Sequence, residues 1–166
     1  MLQAFSHCSW CGAAYAPDQA WPRLCAACGH ANYRNPLPVS VVLLPVDDGL
    51  LTVRRAIEPR RGQIALPGGF INLGESWQAA GVREVFEETG IVLNPAEIQD
   101  FWTRSAPDGT VLVFGLAQPR RSADLPTFVA NPETSELVVI RAAQTLAFPL
   151  HTAAANAWFQ SAFGKR

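Results

Sequence analysis

Charge is scarce in this sequence, and neither sign dominates. Charged residues make up 16% of the 166 positions, the net charge is -1 and the pI is near 6.3. Such a balance gives no support to a nucleic-acid or anionic membrane surface. Arg60-Arg61 and Arg120-Arg121 are isolated pairs, too short to form a basic stripe. No run of 18 apolar residues appears, and the N-terminus lacks the basic-then-apolar layout of a signal peptide. The expectation is a cytoplasmic protein without a membrane partner. Internal repeats and low-complexity tracts are also missing. What remains is a chain that is 49% hydrophobic, enough to bury a core in one medium domain with a small appendage.

Cysteine is confined to the first 33 residues, as Cys8-Ser9-Trp10-Cys11 and Cys25-Ala26-Ala27-Cys28 with thirteen residues between the pairs. Gly12 and Gly29 follow the pairs at once, as two tight knuckles around one tetrahedral ion would require. Two disulfides suit a cytosolic chain poorly. A redox CxxC needs only one pair and a βαβ setting. Buried free thiols leave the paired spacing unexplained. Structural Zn²⁺ on Cys8, Cys11, Cys25 and Cys28 is the expectation, with His7 and His30 at the surface and Trp10 and Trp21 filling a small core. A ribbon of this size draws much of its folding free energy from its metal. The predicted domains are a zinc ribbon over 1–34 and a second domain over 35–166.

Residues 32–38 read as an extended linker, because each proline holds its predecessor out of the helical region. Val39–Leu44 suits a largely buried strand that ends or meets a sheet edge at Pro45. Asp47-Asp48-Gly49 predicts a turn, with Leu50–Arg55 returning as a hairpin partner. Residues 56–65 form a polar loop ringed by Arg54, Arg55, Arg60 and Arg61, either solvated or placed to meet a diphosphate. Further strands are predicted at 98–104, 110–117 and 136–141. A helix is predicted from Pro149 to Phe163, with Leu150, Ala154, Ala157 and Trp158 on its apolar face and Gly164 as its stop. Phe70, Trp102 and Phe128 are the candidate base-stacking aromatics.

The densest signal lies between. Gly69 is followed after five residues by Glu75, and after seven more by Arg83-Glu84-Val85-Phe86-Glu87-Glu88-Thr89-Gly90-Ile91. It predicts a helix capped by Ser76 and stopped by Gly90, with Trp77 stapling it to a sheet. Glu84, Glu87 and Glu88 fall at i, i+3 and i+4, so they share one stripe with Arg83 beside them. A surface Arg–Glu cluster is the bland explanation. Three carboxylates so close repel one another, however, and a hard cation among them reverses the sign of that interaction. Seven fixed positions match at any one start with a chance on the order of 10⁻⁸, which makes accident a poor account.

These residues resemble the Nudix box, GX5EX7REUXEEXGU, with Val85 and Ile91 at the aliphatic positions. The resemblance implies an α/β fold, a Nudix α/β/α sandwich with a mixed sheet, here preceded by the small N-terminal zinc ribbon. It also implies Mg²⁺- or Mn²⁺-dependent hydrolysis of the pyrophosphate bond in a nucleoside diphosphate linked to another moiety. Carried over by position, Glu84, Glu87, Glu88 and the Gly68 carbonyl are the expected metal ligands. Glu75 and Arg83 are the expected orienting pair. Glu133 and Glu136 are the candidate general bases, with Glu84 as fallback. Ribbon plus box is similar to the Nudix branch that holds NADH pyrophosphatases and ADP-ribose or FAD pyrophosphatases. Residues 92–125 lack the SQPWPFPxS motif of the NADH enzymes, and Leu146-Ala147-Phe148-Pro149 looks more like the ADP-ribose/FAD type. The expected partner is a small nucleotide substrate, with a homodimer implied by the family. A nucleotide-sensing module that uses the ribbon for partner contact is the competing reading, although no acid of the box is missing. A redox or zinc-buffering protein leaves the box unexplained.

Overall fold

The computed structural model describes residues 4–161. It forms two compact units, Met1–Pro36 and Leu37–Arg166. In the first, strands β1 (Arg23–Leu24) and β2 (Ala31–Asn32) pair antiparallel. Each cysteine pair makes a tight turn, with Gly12 donating to the Cys8 carbonyl and Gly29 to that of Cys25. Both glycines have φ near +74°, where a side chain would be strained. Trp21 packs edge-on against Phe5 and Tyr15. Trp10 does not join it: 67% exposed, it stacks on the exposed His30 ring at 4.4 Å. The expectation of a core role for Trp10 is therefore corrected, because its place inside the first knuckle turns the ring outward.

The second unit runs β3 (Leu37–Leu43), β4 (Pro45–Val46), β5 (Gly49–Arg55), β6 (Ile64–Ala65), β7 (Gly68–Phe70), α1 (Trp77–Thr89), β8 (Gln99–Ser105), β9 (Thr110–Leu116), β10 (Thr134–Ile140) and α2 (Pro149–Gln160). One sheet is mixed, in the order β7-β3-β9-β8, with β3 and β9 parallel. The other is antiparallel, with β5 between β10 and the short β4 and β6. β3 is apolar on both faces because both are covered. Val41 and Leu43 pack in one core with Phe114, Ala154 and Trp158. Val42 and Leu44 pack in another with Val85 and Ile91. Helices thus flank the sheets on two sides, as an α/β sandwich requires.

The predicted hairpin between Val39–Leu44 and Leu50–Arg55 is replaced by a sheet switch. Both edges of β3 are already taken, by β7 and β9. The chain therefore crosses at Leu44 to the second sheet, where only Pro45–Val46 pairs back with β5. Two other boundaries also move. Ile64–Ala65, read as loop, adds to β5, and Leu37–Pro38, read as linker, opens β3. The helix after Pro149 ends at Gln160; Phe163 and the predicted stop at Gly164 lie outside the described residues. Among the described residues, no helix is long and apolar enough to cross a membrane.

Candidate active site and cysteine cluster

Helix α1 begins as its sequence dictates. Ser76 is extended, and its Oγ accepts from Ala79 N–H at 3.1 Å. Gly90 closes the helix at φ +75°, donating to the Phe86 carbonyl. Two contacts set the helix against β3. Gly81 leaves no room for a side chain, since a Cβ there would lie 2.7 Å from Ser40 Oγ. That hydroxyl donates to the Trp77 carbonyl at 2.8 Å. Trp77 itself closes over Gly115, so the predicted staple to the sheet is present.

The three acids of the stripe are not equivalent. Glu87 faces solvent, Glu84 is half-buried, and Glu88 is 5% exposed. Glu88 Oε2 accepts from Gly68 N–H at 3.1 Å. Burial pushes its carboxyl up to about 8, against the opposing pull of the Gly68 amide, and Glu84 and Glu133 add to the rise. Glu84 is also raised, by burial first. Its carboxylate lies over Gly69, where a Cβ would stand 2.5 Å from both oxygens. Gly69 is thus glycine to make space for an acid. Arg83 organises the cluster's outer edge with bonds to Glu75 at 2.8 and 3.0 Å, to Glu84 at 2.7 Å, to Glu87 at 3.0 Å and to the Phe70 carbonyl at 3.0 Å. The fork of Arg83 and the Asn72 amide hold the Glu75 carboxyl down at about 2. The orienting pair is therefore a two-point ion pair, the stronger geometry for a guanidinium and a carboxylate.

The acids of the box do not converge on a single point. Among the described residues, the cysteines are the one group of three or more potential ligands whose donor atoms all lie within 4.8 Å of one another. Like charges spread, and Arg83 draws Glu84 and Glu87 toward itself. The donor set still suits a hard divalent cation: carboxylate oxygens, a nearby backbone carbonyl and a buried carboxyl whose ionisation burial opposes.

The two candidate bases are placed differently. Glu136 stands opposite Arg54 across β5 and β10 and is bonded to it at 2.6 Å. Glu133 lies near enough to raise both Glu84 and Glu88 electrostatically. The arginines expected around 56–65 also divide. Arg61 is 3.9 Å from Glu58, whereas Arg55 donates to the Pro59 carbonyl and sits 5.2 Å over the Phe148 ring. Arg55 lines a cavity of about 470 Å³ that begins at Gly68 and Gly69 and is walled by Phe70, Phe148 and His151. Of the aromatics expected to stack, Phe70 borders this space; Trp102 instead carries Arg104 at 4.4 Å.

Sequence reading missed three contributors. His151, in the first turn of α2, is buried between Phe148 and Phe114; burial, then Arg55, pushes its imidazole down to about 3. Phe148 was seen only as part of a family-like segment. Asn131, in the loop before β10, bonds to the last turn of α1. Its one sequence signal is the Asn-Pro dipeptide with Pro132, which favours turn initiation.

In the first unit, Cys8 and Cys28 Sγ atoms lie 3.7 Å apart, as do those of Cys11 and Cys25. A disulfide needs about 2.05 Å, and all four thiols are free. Ligands about 2.3 Å from a tetrahedral zinc stand roughly 3.8 Å from each other. The quartet is compatible with that ion. Asn32 bonds to the Ser9 backbone and side chain and to Cys8 Sγ, tying the first knuckle to β2.

A family model described as NUDIX domain matches residues 34–160. The NAD-capped RNA hydrolase NudC of Edwardsiella ictaluri is 35% identical over 89 residues, which are 53% of this chain and 34% of that protein. The one from Shigella flexneri is 32% identical over 90 residues, 54% of this chain and 35% of that protein. The aligned region is about a third of the length of these curated relatives. Among solved structures, a NUDIX hydrolase from Nitrosomonas europaea has a TM-score of 0.75 at 23% identity, covering 93% of this chain and 90% of that one; at that identity it shows the fold. A bifunctional NMN adenylyltransferase/ADP ribose pyrophosphatase from Francisella tularensis has a TM-score of 0.56 at 28% identity, covering 66% of this chain and 35% of that one.

Proposed function

This chain belongs to the Nudix family, and from that premise we propose that it hydrolyses the pyrophosphate bond of ADP-ribose, FAD or a similar dinucleotide, releasing a nucleoside monophosphate. The observation that carries the reading is the buried Glu88 against Gly68 and the half-buried Glu84 against Gly69, at the mouth of a largely apolar cavity. Solvated surface acids would not be buried in this way. Glu84, Glu87, Glu88 and the Gly68 carbonyl would hold Mg²⁺ or Mn²⁺. When bound, the cation supplies charge neutralisation at the phosphoryl oxygens.

The rest is the work of the chain. Glu75 fixes the Arg83 fork, and Arg83 orients Glu84 and Glu87. Glu133 accepts the proton as a water oxygen attacks one phosphorus. The bridging P–O bond breaks, and the leaving phosphate keeps the electron pair. The cavity, lined by Phe70, Phe148 and Arg55, suits a substrate that brings both a ring and an anionic group to it. Cys8, Cys11, Cys25 and Cys28 would hold one structural Zn²⁺.

The test is a panel of ADP-ribose, FAD, NADH, sugar nucleotides and nucleoside triphosphates with Mg²⁺ or Mn²⁺, with products identified. Release of AMP from the dinucleotide-type substrates is expected, with loss of about 100-fold or more in Glu87→Gln. No turnover on any member would sink the proposal, and tight binding without turnover would favour a sensing module. NADH pyrophosphatase activity is the second reading, and the curated relatives, called NAD-capped RNA hydrolases, support an NAD-type dinucleotide. It predicts NADH as the best substrate of the panel.

A further inference from the structure

The loop that precedes β10 is pinned to the helix of acids by one side chain. Asn131 Nδ2 donates to the backbone carbonyls of Glu87 and Glu88, both at 3.1 Å. Its Oδ1 accepts from Glu133 N–H at 3.0 Å and Thr134 N–H at 2.8 Å. The Asn131 amide N–H donates to the Thr134 carbonyl at 2.9 Å, closing the turn. On the far side, the Glu133 carbonyl accepts from Ala56 N–H at 2.7 Å. An amide has two donors on one end and an acceptor with two lone pairs on the other. Asn131 spends its donors on the helix and its acceptor on the loop, so it is a rigid two-sided clamp. The helix end does not depend on it alone, because Gly90 and Thr89 provide local caps there. What only Asn131 does, among these contacts, is tie the backbone of Glu133 to that of Glu87 and Glu88.

We propose that Asn131 is a positioning residue for hydrolysis: it holds Glu133 over the Glu84–Glu88 pair so that its carboxylate reaches the attacking water. It rests on the assignment of Glu133 as base. A clamp of this kind acts through geometry, and a misplacement of about 1 Å at the reacting centre can cost on the order of 100-fold in rate. The Glu133 backbone is held toward β5 by the Ala56 bond and by the start of β10, so loss of Asn131 frees it on the side that faces α1.

The experiment is a double-mutant cycle with Glu133→Gln, read on kcat, KM and Mn²⁺ affinity. Asn131→Ala should lower kcat about tenfold or more and leave KM within about threefold. Asn131→Asp keeps the acceptor for Glu133 and Thr134 but loses the donors to the helix carbonyls, so it should lose kcat as well. In the Glu133→Gln background, either change should cost less than about twofold, because there is no base left to position. A purely structural role would give the same loss in both backgrounds, and that result overturns the proposal. Mn²⁺ titration separates the clamp from the assigned reaction. Glu133 is not among the proposed ligands, but its charge lies near Glu84 and Glu88, so Glu133→Gln and Asn131→Ala should each weaken Mn²⁺ binding several-fold, and non-additively, even if no substrate on the panel is turned over. Unchanged Mn²⁺ affinity in Asn131→Ala, with a drop in Glu133→Gln, would overturn the clamp while leaving the hydrolase intact.

Discussion

Replacing Glu88 by Gln should stabilise the protein at alkaline pH in the absence of Mg²⁺ and Mn²⁺, although it removes a residue of the proposed metal site. The folded carboxyl is lifted from 4.5 to about 8, chiefly by burial. A raised acid contributes stability that is fully present below its unfolded pKa and is lost as pH rises through the folded value. Without Mg²⁺ or Mn²⁺ at pH 8.5, wild type therefore carries a penalty of about 4–5 kcal/mol, at about 1.4 kcal/mol per pKa unit. Gln escapes that penalty and can still accept from Gly68 N–H. Its buried NH₂ group, left without a partner, costs about 1–3 kcal/mol. The net gain at pH 8.5 is roughly 1–4 kcal/mol, or about 2–15 °C in Tm for a chain of this size. At pH 4.5 the folded wild-type carboxyl is neutral, the ionisation penalty is nearly gone, and the unpartnered NH₂ should leave Glu88→Gln the less stable of the two by about 1–3 kcal/mol. Thermal or urea melts from pH 4.5 to 8.5 in buffer free of Mg²⁺ and Mn²⁺, without a chelator that would strip the cysteine unit, read the effect directly. Added Mg²⁺ should restore wild type and leave Glu88→Gln unmoved. A variant equally or less stable than wild type at pH 8.5, or an offset constant across the pH range, refutes the reasoning.

Gly69→Ala should cut kcat about tenfold or more while changing stability by less than about 1 kcal/mol. The new methyl falls on the Glu84 carboxylate, which is the mobile end of a side chain and can move aside; equal activity would show that its position is immaterial. His151, lowered from 6.5 to about 3, resists the proton that the unfolded chain accepts. Stability is therefore lost as pH falls below about 6.5, by about 2 kcal/mol at pH 5. His151→Leu should flatten that part of the acid limb in denaturant melts, and an unchanged slope contradicts it. Metal analysis should return about one zinc per chain in wild type and much less in Cys25→Ser. Well under one zinc in wild type would reopen the redox and zinc-buffering readings of the quartet.

What the linear order could specify was local. Ser76 and Gly90 cap α1 as their side-chain chemistry demands, and the i, i+3, i+4 spacing puts Glu84, Glu87 and Glu88 on one stripe whatever surrounds the helix. Two CxxC pairs bring four thiols together because the knuckles are short-range turns. The fold class was likewise legible, through the resemblance of Gly69–Ile91 to the Nudix box, and the mostly apolar Val39–Leu44, broken only by Ser40, agrees with a strand covered on both faces. Long-range pairing was not. The partner of β5 depended on which edges of β3 were already filled, something no hydrophobic pattern encodes. The exposure of Trp10 depended on which way its knuckle turned. Nor can a repeat of identical acids reveal that one is buried and another solvated. That difference arises from how close Gly68, Gly69 and Gly81 let the helix and strand approach. Sequence alone therefore determined that carboxylates would gather on one helix. Only the tertiary structure decided that Glu88 goes inside, that Glu136 is spent on Arg54, and that Asn131 ties the Glu133 loop to the helix end, because burial and hydrogen-bond partners are properties of residues distant in the chain.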